Sequence, residues 1–467
     1  MRGKRSVFIT EPYLLSLHPD REMHVVWIQR QEASGVVHFS ETPALGQSVT
    51  AECYPLNGLR YPAEGGYNTA SPERNPPVQL WQCIAVIRGL RPGQRIFYRC
   101  GCLDEETEIY DFHAAPPSGA PFRIAQISDL QGYLPCDESV LHIGRQQPDL
   151  LLYSGDAAFF SWRADQWFDL DADWQEPDAA KRAFFPCMQQ QNGARLMQYC
   201  PTFFCPGNHE VDDFRVGTDP VFTRNADNWH FSIFMQIFRP LYPKADYSLS
   251  GKRWYSADYG DLHLVSLSIQ RWALWGAYEA PGWRLVDPIS PDSPQIRWLT
   301  DDLAACRSKY RWVIQHWHIL NKGTDVQPNL CQPQLAEDGS VSYPDDGSAL
   351  MALYSRFGVN AVTFGHSHVY ERYYYRGCHY IEAAYLGVCC RERNAPLHPS
   401  RLQPLVEDNS RQASLIVDCD ESGLHARGFY SAEAPILFDE YQIADADGRS
   451  EERRVGKECR SRWSPYH

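Results

Sequence analysis

No segment of this chain reaches about 18 consecutive apolar residues, the length a membrane-spanning helix needs. The opening MRGKRSVFITEP carries a short basic run without the apolar stretch of a secretory leader. A soluble, cytoplasmic protein with no membrane partner is therefore expected. Positive charge is also in short supply, 44 lysines and arginines against 58 aspartates and glutamates. Nucleic acid and anionic lipid are held largely through lysine and arginine, so no nucleic-acid partner is expected. An anionic substrate must then be met by local cations or metal ions. The 15 cysteines contain no CxxC pair, which removes the common zinc and dithiol motifs. Their odd number and scatter suggest mostly buried thiols in a reducing compartment. Cys100/Cys102 and Cys389/Cys390 are close neighbours poorly placed to bridge each other. No internal repeat and no long low-complexity tract is present.

What the chain does hold is apolar and aromatic material, 43% and 13% of 467 residues, enough for an ordered protein of two or three domains. Up to about residue 113 the pattern is β. MHVVWIQ (23–29), GVVHFS (35–40), QLWQCIAVI (79–87), RIFYRCG (95–101) and EIYDFHA (108–114) are short runs separated by turn-rich segments. In QLWQCIAVI, Trp81, Cys83, Ala85 and Ile87 share one face by period-two spacing. Several such strands in a short stretch predict a β-sandwich over residues 1–115. AAPPSGAP (114–121) is dense in proline and glycine, and its last part, 116–121, is the expected linker.

From Phe122 the pattern changes to apolar runs alternating with helical segments: FRIAQIS, DLLLYSG, LHLVSLS, RWVIQHW and NAVTFGH. An α/β sandwich is expected over residues 122–440. Residues 161–200 and 211–250 lengthen its connections with tryptophan and phenylalanine and are expected to wall a site. Residues 441–467 read as a tail. Its last part, RVGKECRSRWSPYH, turns basic and non-periodic and is expected to be foreign to the fold.

Metal-ligating residue types recur where these apolar runs end. Asp129 follows FRIAQIS, Asp156 follows DLLLYSG, Asn208 and His209 stand in CPGNHE, His316 follows RWVIQ, and His366 and His368 follow NAVTFG. Ligands of α/β sheets bind outside the carboxyl ends of strands, so these residues can converge in one crevice. Two carboxylates, an amide oxygen and three imidazoles suit Fe, Mn or Zn better than Ca or Mg. The set exceeds the needs of one tetrahedral ion, whereas two ions about 3.5 to 4 Å apart could share a carboxylate and clamp a phosphoryl group.

Together SDLQG, SGD, GNHE, the histidine after RWVIQ, and GHSHVYER resemble the calcineurin-like metallophosphoesterases, and GNHE with GHSHVYER resembles their purple acid phosphatase branch. GLRPGQRIFYR is similar to part of the fibronectin type III-like domain that precedes the catalytic domain in that branch. WYSADYGDLHLVSL and QIRWLTDDL also look like it. The resemblance implies a four-layer α/β catalytic domain that hydrolyses phosphate monoesters through a metal-activated hydroxide. It implies Asp156 as the carboxylate bridging two metal ions. Asp129 and His368 would join it on one ion, and Asn208, His316 and His366 would hold the other. His209 is implied as a catalytic group near the leaving oxygen, not a ligand.

Two positions depart from that pattern. Phe159 stands three residues after Asp156, where purple acid phosphatases place a tyrosine, and a phenyl ring cannot ligate iron. Gln131 stands where many relatives of the wider family have the histidine of DxH. Its amide oxygen is expected to serve as a neutral metal ligand, favouring Fe(II), Mn or Zn over stable Fe(III). HWH offers His318 as an alternative to His316, which is preferred because it directly follows the apolar run. Tyr370, Glu371 and Arg372 are expected to orient ligands or to pair structurally. His263, within an apolar strand, is expected to be a satisfied core histidine. Trp162, Trp167 and Trp174 could line a pocket, although aromatic clusters in insertions more often form a small core. The alternatives to a monoesterase are a phosphodiesterase on the same site and a non-catalytic metal-binding recognition protein.

Overall fold

The computed structural model describes residues 6–61, 76–131, 136–168, 170, 183–189, 195–210, 231–243, 252–270, 287–320, 334–335, 341–342, 347–382, 404–408, 412–430 and 435–450. The amino-terminal part consists of β1 (Tyr13–Leu15), β2 (Glu22–Gln29), β3 (Gly35–Ser40), β4 (Gln47–Thr50), β5 (Glu52–Leu56), β6 (Leu80–Arg88), β7 (Arg95–Cys102), β8 (Glu105–Glu106) and β9 (Tyr110–His113). They form two antiparallel sheets, β1-β2-β6-β5 and β4-β3-β7-β8, with β9 added to β7. The expected runs all appear as strands. The short β1, β4, β5 and β8 were not anticipated, since too few residues show a period.

Strand β2 explains how this sandwich is held. Met23, Val25 and Trp27 point to the space between the two sheets, where Cys83, Ala85 and Ile87 of β6 meet them. Val26 and Ile28 point the other way and join one continuous core with the rest of the chain. A strand alternates sides at each residue, so the unbroken apolar run from Val25 to Ile28 is the mark of burial on both faces.

After a segment without helix or strand (114–121), the chain makes β10 (Phe122–Ile127), β11 (Leu150–Tyr153), β12 (Thr202–Phe204), β13 (Tyr255–Tyr259), β14 (Leu262–Ser266) and β15 (Tyr310–Ile314). A hairpin, β16 (Gln334–Leu335) and β17 (Val341–Ser342), precedes β18 (Ala361–Phe364), β19 (Tyr370–Tyr375), β20 (Cys378–Glu382) and β21 (Val406–Asp408). Last come β22 (Ala413–Asp420), β23 (Gly423–Tyr430) and β24 (Ile436–Asp445). The helices are α1 (Cys136–Arg145), α2 (Ala164–Trp167), α3 (Phe184–Met188), α4 (Leu196–Tyr199), α5 (Ser232–Ile237), α6 (Pro294–Ala305) and α7 (Gly347–Arg356).

Two sheets result, a six-stranded β12-β11-β10-β22-β23-β24 and a seven-stranded β13-β14-β15-β18-β20-β19-β21. Residue alternation stacks them. Leu262, Leu264, Trp312 and Ile314 face the six-stranded sheet, while Val265, Val313, Val362 and Phe364 face Leu299 and Leu303 of α6 and Leu350 and Tyr354 of α7. With Val140 and Ile143 of α1 packed into the core of the six-stranded sheet, the order is helix, sheet, sheet, helix.

One expectation is corrected. The described part of the tryptophan-rich residues 161–200 does not merely wall a site. Trp167 is fully buried, and it, Phe184 and Phe185 of α2 and α3 belong to the core shared with the amino-terminal sheet, because that sheet's outer face must be covered. Trp174 and residues 211–230 and 244–251 lie outside the described residues. The described cysteines are mostly buried thiols, as expected, with one pairing that the sequence did not foresee. Cys53 and Cys83 sit directly opposite each other on β5 and β6, Cα atoms 4.3 Å apart, and are joined as a disulfide. Cys100, Cys102 and six other described cysteines are free thiols, seven of the eight buried. Cys389 and Cys390 lie outside the described residues. Among the described residues, no helix is long and apolar enough to cross a membrane.

Candidate metal centre

Strands β10, β11 and β12 run parallel, as do β14, β15 and β18, so their carboxyl ends form one rim. Each candidate ligand sits a few residues beyond such an end. The backbone there is held in an uncommon form: Asp129, Gln131, Asp156, His366 and His368 all have positive φ, between 46° and 79°. Side chains rarely tolerate this region, and such strain collects at functional sites.

The turns can approach one another because glycines precede the ligands. A Cβ on Gly207 would overlap the Asp156 carboxylate, and one on Gly365 would overlap the carboxylate of Asp129. With hydrogens there instead, the groups interlock. The His366 amide donates to both Asp129 oxygens, at 3.0 and 3.1 Å, and the His209 amide donates to Asp156 Oδ1 at 2.9 Å.

One cluster of donor atoms forms around Asn208. Its Oδ1 lies 2.9 Å from His316 Nε2 and 2.8 Å from His366 Nδ1. His316 Nε2 is also 3.1 Å from Asp156 Oδ2. Asp156, His316 and His366 each offer a buried ligand atom, all within 4.8 Å of one another. A second set adjoins it, with His368 Nε2 at 3.4 Å from Asp129 Oδ1. These oxygen and nitrogen donors suit a divalent metal ion. His316 is further prepared for ligation, because its Nδ1–H donates to the Ser154 carbonyl at 2.8 Å and leaves Nε2 as the ligating atom.

The electrostatics follow the geometry. Burial alone would raise the Asp156 carboxyl, yet the imidazoles of His316 and His209 outweigh it and hold the group below the usual carboxylate range. Burial would lower His316, but Asp156 beside it pushes it up to about 9.

The remaining candidates sort by contact. Gln131 turns its amide nitrogen, not its oxygen, to Asp156 Oδ2 at 2.9 Å. In this arrangement it orients the carboxylate. His209 Nδ1 is 2.9 Å from the Phe159 carbonyl and Nε2 is 3.9 Å from Asp156 Oδ2, so it borders the cluster. His318 is not one of the grouped donors Asp156, His316 and His366; its ring centroid is 5.5 Å from that of His366 and its Nδ1 is 3.5 Å from Ser367 Oγ. Tyr370 and Arg372 both bind Asp439, Arg372 through two bonds of 2.8 and 2.9 Å, and Glu371 accepts from Tyr373. Their role is structural pairing. His263 is buried and bridges Asp258 and Asp302 at 2.8 and 2.9 Å.

Glu210 is the residue that sequence reasoning missed. Its fully buried carboxylate accepts the amides of Gly207, Asp156 and Ala157 at 2.6, 2.8 and 2.7 Å, tying the turn after β12 to the turn after β11. Only its place in GNHE hinted at it.

Residues 122–370 match the family model of the calcineurin-like phosphoesterases. The chain belongs to that family. Among curated proteins, this chain is 25% identical over 299 residues to Purple acid phosphatase 15 of Arabidopsis thaliana, covering 61% of this chain and 48% of that one. It is 26% identical over 299 residues to Acid phosphatase type 7 of Homo sapiens, covering 62% and 56%. The chain thus spans about half the length of the curated relatives it matches. Among solved structures, a purple acid phosphatase from yellow lupin (Lupinus luteus) seeds aligns over 92% of this chain and 73% of its own, with TM-score 0.59 and 14% identity. PhoD aligns over 96% and 93%, with TM-score 0.61 and 11% identity. These likenesses identify the four-layer metallophosphoesterase fold.

Proposed function

We propose that this phosphoesterase hydrolyses phosphate monoesters at a centre of two metal ions drawn from Fe, Mn and Zn. One observation carries the reading: two sets of donors adjoin, one with Asp156, Asn208, His316 and His366 and one with Asp129 and His368. His316 Nε2 and the Gln131 amide both reach Asp156 Oδ2, His366 offers a ligand atom within 4.8 Å of it, and Asn208 Oδ1 touches both imidazoles, while the His366 amide bonds the Asp129 carboxylate that His368 adjoins. Asp156 is then the shared carboxylate. Bound there, the two cations supply positive charge for the phosphoryl oxygens and lower the pKa of water from about 15.7 towards 7.

The chain's own groups supply the rest. The Phe159 carbonyl can only accept, so it fixes the proton on His209 Nδ1 and leaves Nε2 facing the centre. From that position the protonated imidazole can give its Nε2 proton to the departing alcohol oxygen. Phe159 cannot ligate, which supports a colourless centre, and the amino-terminal sandwich is read as the fibronectin type III-like domain of the purple acid phosphatase branch.

Reloading stripped protein with each metal and assaying an aryl phosphate monoester against the matching diester tests the reading. Two ions per chain and preferred turnover of the monoester are expected. Asp156→Asn and His209→Ala should each lower kcat by about 100-fold or more. Preference for the diester would replace the monoesterase with a diesterase, and unchanged turnover in both variants would remove the site altogether.

A further inference from the structure

We propose that Phe159 is a positioning residue for His209, a use of this position distinct from metal ligation. The proposal rests on the reading of His209 as proton donor. The Phe159 ring lies against the imidazole, centroids 4.6 Å apart at 40°, while the carbonyl of the same residue accepts from Nδ1 at 2.9 Å. One residue therefore sets both the plane of the imidazole and its tautomer. Phe159 is itself nearly buried and braced by the edge of Phe160 at 4.7 Å, and Phe160 packs on Trp162 at 5.9 Å.

The brace reaches the amino-terminal domain. The Arg60 amide donates to the Trp162 carbonyl at 2.8 Å, and the Ala164 amide donates back to the Arg60 carbonyl at 2.8 Å. The loop after Asp156 is pinned on one side by Glu210 and on the other by this strand-like pairing. With its backbone fixed, the loop offers Phe159 as a rigid wall. An imidazole that keeps one orientation spends all its time ready to protonate the leaving oxygen, which is the gain that positioning supplies.

Phe159→Leu keeps the carbonyl and an apolar side chain but removes the ring, and Phe159→Tyr restores the ring. With phenyl phosphate, a poor leaving group that needs a proton, Phe159→Leu should lower kcat about tenfold, a fraction of the full worth of a general acid. With p-nitrophenyl phosphate, whose leaving group departs as an anion, the loss should stay within about threefold, with KM and metal content unchanged. Phe159→Tyr should recover the phenyl phosphate rate. Equal losses on both esters, or a loss traced to metal content, would overturn the proposal. NMR of the His209 ring gives a readout without turnover: one ring orientation is expected in the wild type and exchange between orientations in Phe159→Leu. An unchanged spectrum in Phe159→Leu refutes the positioning role. Wild-type protein inactive on both esters refutes instead the monoesterase reading beneath it.

Discussion

Glu210 is a carboxylate with no cation among its hydrogen-bond partners, buried where burial and the negative charge of Asp156 push its pKa up to about 8. What holds it is backbone: amides from two turns converge on it and would otherwise be buried without acceptors. Replacing one oxygen by an NH2 group in Glu210→Gln sets donor against donor. The Asp156 turn should then loosen, and metal affinity should fall about 10- to 100-fold, as it does when groups supporting ligands are lost. Equilibrium dialysis with metal analysis checks this, and an unchanged affinity would show that the turn is held by Gly155 and Gly207 packing alone. The glutamate was in plain view in GNHE. Its role was not, because two of its amide partners come from residues about fifty positions earlier, and no local spacing records that.

At the scale of elements, the hairpin β13–β14 is fastened to α6 by His263. Burial would lower this imidazole, but its bonds to Asp258 and Asp302 push it up to about 10, and the same bond to His263 holds Asp258 below its usual range. Raised in the folded state above an ordinary value of 6.5, the histidine contributes stability that is fully present below about pH 6.5. That contribution is lost as pH climbs towards about 10. His263→Phe should therefore be less stable than the wild type by about 2 kcal/mol at pH 6, discounted for the exposure of Asp258, with the gap closing by about pH 10. Urea unfolding of both proteins at the two pH values measures it, and a gap independent of pH would assign the effect to packing. The sequence reading expected a satisfied core histidine, and satisfied it is. Its charge was not foreseen, since Asp302 comes from a helix distant in the chain.

Across the whole molecule, the amino-terminal sandwich and the two sheets that follow it share one apolar core rather than touching at a linker. Tyr13 and Gln82 of the first both donate to the Ile237 carbonyl of the second, at 2.8 and 2.7 Å, and Tyr98 donates to the carbonyl of Gln198 at 2.5 Å. Unfolding either part would expose the other's core, so a single calorimetric transition is expected. Val26→Asp, at a position that would face solvent in a free sandwich, should destabilise both parts together by several kcal/mol, the cost of burying an unpaired charge. Two separate transitions, with only the first lowered by Val26→Asp, would show that the domains unfold independently.

The sequence by itself determined the strand runs, the change from β to α/β near residue 114, and the turns that carry the candidate donors, because alternation, breakers and strand ends are properties of neighbouring residues. It also placed His316 ahead of His318 by the same strand-end logic, and the structure puts His316 Nε2 in the cluster. Only the tertiary structure decided which way Gln131 turns its amide, where Glu210 finds its amides, that Cys53 meets Cys83, and that Trp167, Phe184 and Phe185 pack into the core shared with the amino-terminal sheet. Each depends on which distant segment arrives opposite a given side chain, and that is settled by packing two sheets and a sandwich at once.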